Sequence, residues 1–171
     1  NADNDPSWSM AQRPRVAGND RQVVVFSMQH DSPRVKAHLA RGGRAVVLAQ
    51  DWLVELDPQD DPRRVLPVAR LPVALGGLAQ FNIANALAAT AACRALGVGR
   101  DTIALALAGF GSAVANRGRA NLYEVRGGYV LADYGHNADA FTAIARLTAQ
   151  LTGYHVTGVI DMPGDRADAV L

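Results

Sequence analysis

The sequence predicts an α/β protein built in two pieces, and three observations carry that expectation. Val23, Val24, Val25 and Phe26 form an uninterrupted apolar run, the pattern of a strand covered on both faces in a parallel sheet. Farther along, a hairpin pattern, a helical period and a β-rich run over residues 154–160 succeed one another in the strand, helix, strand order of a parallel α/β unit. Between the two regions Gly109, Gly111 and Ser112 interrupt every periodic pattern and relax the backbone, which marks them as a hinge. The expected division is 1–113 followed by 114–171.

In chain order, Asn1-Ala2-Asp3-Asn4-Asp5-Pro6 reads as a polar turn. A strand over 22–28 follows, residues 29–32 turn the chain, and 35–39 make a short helix. His30 and His38 have no carboxylate or cysteine at metal-ligand spacing and are read as solvated or packing histidines. Residues 44–50 and 52–56 alternate about Asp51 and predict an antiparallel pair after the Gly42-Gly43 break. The acidic stretch 57–62 has prolines at 58 and 62 and no regular ligand spacing, so it is a surface loop rather than a metal loop. Pro67 and Pro72 confine residues 65–73 to an edge strand or an extended connector.

After a break at 76–81, residues 82–96 read as one helix closed by Gly97. Alanine and leucine occupy nearly every side of it, which predicts burial all round. Two asparagines stand out, Asn82 and Asn85, sharing a face at i,i+3. Asn82 can serve simply as the N-cap. Asn85 is harder to explain structurally, because asparagine inside a helix costs about 0.6 kcal/mol relative to alanine. Its amide supplies the donor and acceptor that an adenine edge requires. Asp101 is placed to cap a further helix, with Ile103, Ala106, Leu107 and Phe110 on its core face.

Residues 122–126 and 129–134 are short β-branched and aromatic runs joined by Gly127-Gly128, which tolerates the positive φ of a two-residue turn. The hairpin brings its flanking loops to one end. One offers Arg119 and the other Asp133 and His136: a fixed cation, a carboxylate and an imidazole, groups suited to a phosphorylated nucleotide. The structural alternatives are a salt bridge for Arg119 and a loop cap for Asp133. Asn137 or Asp139 then caps a helix with Phe141, Ile144, Leu147 and Leu151 inward, ended by Gly153.

At 171 residues and 49% apolar, the chain can bury a sizeable core. Of its 17 basic residues only Lys36 is a lysine, and the arginines are scattered rather than massed, which argues against a nucleic-acid surface. The single cysteine, Cys93, forms no internal disulfide and fits a reducing compartment. With neither a signal-peptide pattern nor a long apolar run, the expectation is a cytoplasmic protein without a membrane partner. The opening polar turn and the closing helix start both look cut, so the chain reads as a fragment.

These residues carry a resemblance. Asn116-Arg117-Gly118-Arg119 followed by Asp133-Tyr134-Gly135-His136-Asn137 resembles the Asn-Pro-Gly-Arg and Asp-Tyr-Ala-His-Asn-Pro pair of the Mur ligase superfamily. Phe81-Asn82-Ile83-Ala84-Asn85-Ala86-Leu87-Ala88-Ala89 is similar to its His-Asn-x-x-Asn-Ala-Leu-Ala-Ala motif, with Phe81 replacing histidine. Asp161-Met162-Pro163-Gly164-Asp165-Arg166 is similar to its Gly-x-Pro-Gly-Asp-Arg, and the opening turn to its Asn-Ala-Asp-Asp-Pro. Within the superfamily the pattern is most like the Mur-ligase-like half of the cyanophycin synthetases.

The resemblance implies that 1–113 is the end of a central ATPase domain and 114–171 the truncated first part of a Rossmann-like C-terminal ligase domain. It implies ATP-dependent joining of an amino acid to a carboxylate through an acyl-phosphate, and in that branch the addition of arginine to aspartate side chains of a polymer. Peptidoglycan-precursor and folylpolyglutamate ligases are alternatives within the superfamily; a noncatalytic nucleotide-binding domain is one outside it. By the same resemblance Asn82 and Asn85 serve adenine, Asp133 the ribose, and Arg119 and Arg166 the phosphates. His136 is the candidate catalytic group, touching phosphate or ordering the loop. Arg117 stands where the family has proline. The cofactors implied are ATP and Mg2+, but no Gly-x-x-Gly-Lys-Thr loop is present, so the magnesium ligands are expected upstream and these residues alone should be inactive. The partners are ATP, an amino acid and a carboxylate acceptor, with self-association left open.

Overall fold

The computed structural model of the chain describes residues 1–18, 22–111 and 116–161. The opening residues do more than turn. Ala2 N–H donates to Phe26 O at 2.8 Å, and Asp3 accepts from Ser27 Oγ at 2.5 Å and from Met28 N–H at 2.7 Å. Asn4 then caps α1 (Asp5–Ala11) by accepting from Ser7 N–H at 3.0 Å, with Pro6 in the first turn where a missing N–H is harmless. A second short helix, α2 (Pro14–Ala17), follows. Residues 7–18 carry no clear helical period, so neither helix was expected.

The main sheet has the order β1-β2-β3-β4. β1 (Val24–Ser27) runs parallel to β2 (Arg44–Ala49) through a crossover containing α3 (Pro33–Leu39), so the apolar run at 23–26 is a parallel strand as expected. β2 and β3 (Trp52–Leu56) form the expected antiparallel pair. Their turn residues Gln50 and Asp51 both take left-handed φ, 49° and 59°, matching the strand twist. β4 (Arg63–Pro67) is the edge strand and ends on its proline, where a missing donor is tolerated. Residues 68–77 then coil into two 3-10 segments, Val68–Arg70 and Pro72–Gly77, so the extended run to residue 73 is shorter than expected.

Side chains on the two faces of the sheet join separate apolar clusters. On one, Val46, Leu53 and Leu66 meet Ile83 and Leu87 of α4 (Gln80–Ala95) and Ile103 of α5 (Arg100–Gly109). On the other, Val25, Ala45, Val47 and Val54 meet Val35 of α3, with Trp8 and Leu39 alongside. Covering both faces is what a parallel pair demands. His38 is a packing histidine: buried, its Nε2 lies 3.0 Å from Val23 O and its ring stands edge-on to Trp8. A Cβ at Gly43 would lie 2.2 Å from that Nε2. Gly43→Ala is therefore expected to destabilise the protein by about 1–3 kcal/mol through overpacking. Thermal unfolding checks it, and an unchanged melting temperature would mean the ring moves aside freely.

Several expectations at the helices are corrected. Asn82 is not an N-cap: α4 starts earlier, from an Ala79 cap that uses no side-chain bond, and Asn82 is buried in the first turn. Burial is confined to one face of α4, leaving Asn85, Ala89 and Ala92 exposed. Alanine allows burial without compelling it, having little surface to hide. Gly99 caps α5, and Asp101 sits within its first turn. The inward face of α5 is Ile103, Ala104 and Leu107; Ala106 points out, and Phe110 falls beyond the helix with 37% exposure.

β5 (Asn121–Val125) and β6 (Gly128–Ala132) form a separate two-stranded sheet. Its turn is Arg126-Gly127, not Gly127-Gly128, because the register pairs Val125 with Gly128 and sets Leu122 opposite Leu131 and Tyr123 opposite Val130. Apolar cross-strand pairing fixes that register, and Arg126 accepts a left-handed φ of 49°. In α6 (Ala138–Thr148) the cap is Asn137, accepting from Ala140 N–H at 2.8 Å. Phe141, Ile144, Leu147 and Leu151 are its shielded positions, and the helix stops at Thr148, before Gly153.

The expected strand over 154–160 is not formed. Those residues have no ladder partner among the described residues, and Val156, Val159 and Ile160 are exposed, Val159 to 95%. β-propensity becomes a strand only beside another strand. Residues 112–115, including Ser112 and the expected 113/114 division, lie outside the described residues.

Candidate functional site

α4 and α6 pack against one another, and beside them opens a cavity of about 410 Å³. Four residues singled out from the sequence line it together: Asn82, Asn85, Arg119 and Asp133. His136 does not; it belongs to the loop that leads from β6 to α6. Arg166 lies outside the described residues.

On the α4 side, the buried Asn82 donates from Nδ2 to Val73 O at 2.8 Å, which fixes its amide orientation. Its Oδ1 then faces Asn85, whose Nδ2 lies 3.5 Å away in a long contact. Asn82 thus orients its exposed neighbour, while Asn85 keeps hydrogen-bonding capacity in hand. The two asparagines should separate experimentally. Asn82→Ala leaves the Val73 carbonyl unpaired and is expected to lower stability by about 1–3 kcal/mol. Asn85→Ala is expected to leave unfolding nearly unchanged. Thermal melts of the two variants decide it, and equal losses would contradict the division.

Across the cavity Arg119 is exposed, with its guanidinium carbon 6.0 Å from the centre of the Tyr134 ring, within cation–π range. It forms no ion pair among the described residues, so the salt-bridge alternative finds no partner there. Asp133 does act as a loop cap: Oδ2 accepts from Ala120 N–H at 2.8 Å. The other carboxylate oxygen, Oδ1, is then the one left to meet a ligand. His136 brings Nδ1 to 3.2 Å from Tyr134 O and its ring to 5.7 Å from the Tyr134 ring, an arrangement that orders the loop.

Other residues share the lining. Phe81, Ala140, Ala143 and Ile144 make an apolar side; Asn116 and Asp139 add polar groups. Ile144 and Asp139 had been assigned to core and capping duties, because a helical period says which face turns inward and not that the inward face borders a cavity. Among the described residues no group of three or more His, Cys, Asp or Glu could hold a metal ion, and no helix is long and apolar enough to cross a membrane. The magnesium implied by the resemblance therefore finds no fitting donor set here.

No protein-family model matches the chain. It is 32% identical over 169 residues to the cyanophycin synthetase of Trichormus variabilis, covering 98% of this chain and 18% of that protein. It is 33% identical over 172 residues to the cyanophycin synthetase of Synechocystis, covering all of this chain and 19% of that protein. With a UDP-N-acetylmuramate–L-alanine ligase of Ruegeria it shares 40% identity over 135 residues, 78% of this chain and 26% of that one. By these matches the chain is a Mur-ligase-like α/β sequence. It is similar over nearly its whole length to one stretch of the cyanophycin synthetases, although it spans less than a fifth of their length (18% and 19%).

Proposed function

We propose that these residues form the nucleotide-facing part of an ATP-dependent carbon–nitrogen ligase that works in the cytoplasm and joins an amino acid to a carboxylate. The observation that carries the reading is the common cavity of Asn82, Asn85, Arg119 and Asp133, drawn from α4 on one side and from the loops flanking a hairpin on the other. In this reading 1–113 belongs to the ATPase domain and 114–171 to the ligase domain, and ATP is held where they meet.

ATP supplies the phosphoryl group that makes a carboxylate reactive toward an amine. The residues of this chain bind and orient. Asn85 offers donor and acceptor to the adenine edge from an amide steadied by Asn82. Asp133 turns Oδ1 toward ribose hydroxyls while Oδ2 holds Ala120. Arg119 forks onto phosphate oxygens, a task for which guanidinium stays charged at any working pH. His136 orders the loop between Asp133 and α6, and Arg166 adds a second anion contact. The phosphate loop and the Mg2+ ligands belong to other parts of the longer protein, so these 171 residues alone would not turn over.

Near-complete coverage by cyanophycin synthetases supports arginine as the amino acid and aspartate side chains of a polymer as the acceptor. The 40% match to a UDP-N-acetylmuramate–L-alanine ligase favours, as the second reading, a peptidoglycan-type reaction. Phosphate release by the full-length protein, with ATP and each amino acid and acceptor in turn, separates them. Release that requires arginine and poly-aspartate supports the first; release that requires alanine and UDP-N-acetylmuramate supports the second. A full-length protein that does not take up ATP ends both.

A further inference from the structure

Asn121 touches no cavity, yet it is among the most completely buried polar side chains described, with 1% of its surface exposed at the first position of β5. Its amide spans the loop that carries Arg119. Oδ1 accepts from Gly118 N–H at 2.6 Å and Nδ2 donates to Asn116 O at 3.0 Å. The loop is closed from the other side by Tyr134 N–H donating to Gly118 O at 2.7 Å, and by the Ala120 N–H bond to Asp133. Gly118 has φ 72° and Ala120 has φ 50°. A non-glycine residue in left-handed backbone persists only where its surroundings over-determine it. Here the bonds of Asn121 and Asp133 hold the peptide on each side of Arg119.

We propose that Asn121 is a positioning residue, which sets the arginine loop in the conformation from which Arg119 meets the nucleotide phosphates. The inference rests on the nucleotide reading of the cavity. A guanidinium on a flexible stem finds its ligand efficiently only when its Cα is fixed, and a misplacement of about 1 Å can lower turnover about 100-fold. An amide is suited to the task because its donor and acceptor ends satisfy a carbonyl and an N–H of one loop simultaneously. Neither alanine nor serine spans both.

The test is a double-mutant cycle in the full-length protein, following kcat, KM for ATP and the melting temperature. Asn121→Ala in the native background is expected to lower kcat/KM at least tenfold, and in the Arg119→Ala background to lower it hardly further. A residue that merely supports the fold would instead reduce both backgrounds by the same factor. Such additivity, or a folded Asn121→Ala with unchanged kinetics, overturns the proposal. Should that variant fail to fold, Asn121→Asp carries the same cycle, because it keeps the acceptor for Gly118 N–H and loses only the donor to Asn116 O. If Arg119→Ala itself leaves kinetics and ATP binding intact, the nucleotide site fails and this inference fails with it. If Arg119→Ala is crippled and the Asn121 losses are additive, only the role of Asn121 falls.

Discussion

Replacing Arg119 by alanine in the full-length protein is expected to lower kcat/KM for ATP about 100- to 1000-fold, the loss typical of one preorganised charge-stabilising donor. Unfolding of the ligand-free protein should move by no more than about 0.5 kcal/mol, as for other surface substitutions. The asymmetry follows from what the side chain touches. Arg119 is exposed, has no ion pair among the described residues, and contributes to the fold only a cation–π contact with a Tyr134 that is itself 65% exposed. Such a contact is worth about 0.5–1 kcal/mol at most. Arg119→Lys should recover part of the loss, since charge returns without the planar fork that grips two oxygens. Steady-state kinetics beside thermal melts provide the check. Equal fractional losses of stability and activity would make Arg119 a structural residue and leave the cavity without its anion contact.

The parts of this site differ in how far the sequence discloses them, and each difference has a physical cause. Asn85, Arg119 and Asp133 are legible because each sits against its local background: an amide in an alanine helix, a cation in a glycine turn, a carboxylate closing an apolar strand. Asn121 is not, since its role depends on two backbone groups of a preceding loop and no side-chain pattern announces them. Asn82 is half legible. Its position near a helix start suggests a cap, but Ala79 begins the helix through its backbone, and the amide turns to Val73 in a neighbouring 3-10 segment.

The same contrast runs through the fold. The β1 run is readable because burial on both faces leaves no polar alternation. The β-rich residues 154–160 are over-read because propensity is local while ladder partners are not. Across the turn at Arg126-Gly127, the cross-strand pairs outweigh the two glycines that seemed to set the register.

Leu87→Ala provides the complementary experiment, a large loss of stability with the site left intact. Leu87 is fully buried among Val46, Leu53, Ile83 and Ile103, where α4 meets the sheet. Truncation removes the transfer free energy of three carbons and leaves a void that neighbouring strands fill poorly, so a destabilisation of about 2–5 kcal/mol is expected. With 3.6 residues per turn, Leu87 lies about 200° around the helix from Asn85. The void therefore opens toward the sheet and away from the cavity. At a temperature well below the lowered melting point, the dissociation constant for ATP in the full-length protein should stay within about twofold of the unmodified value. Chemical denaturation supplies the first quantity and equilibrium ATP titration the second. A destabilisation under about 1 kcal/mol would mean the core collapses around the void. An ATP affinity that falls with stability would mean that the asparagine face of α4 is held in place by the packing of its opposite face, so that helix position itself sets nucleotide affinity.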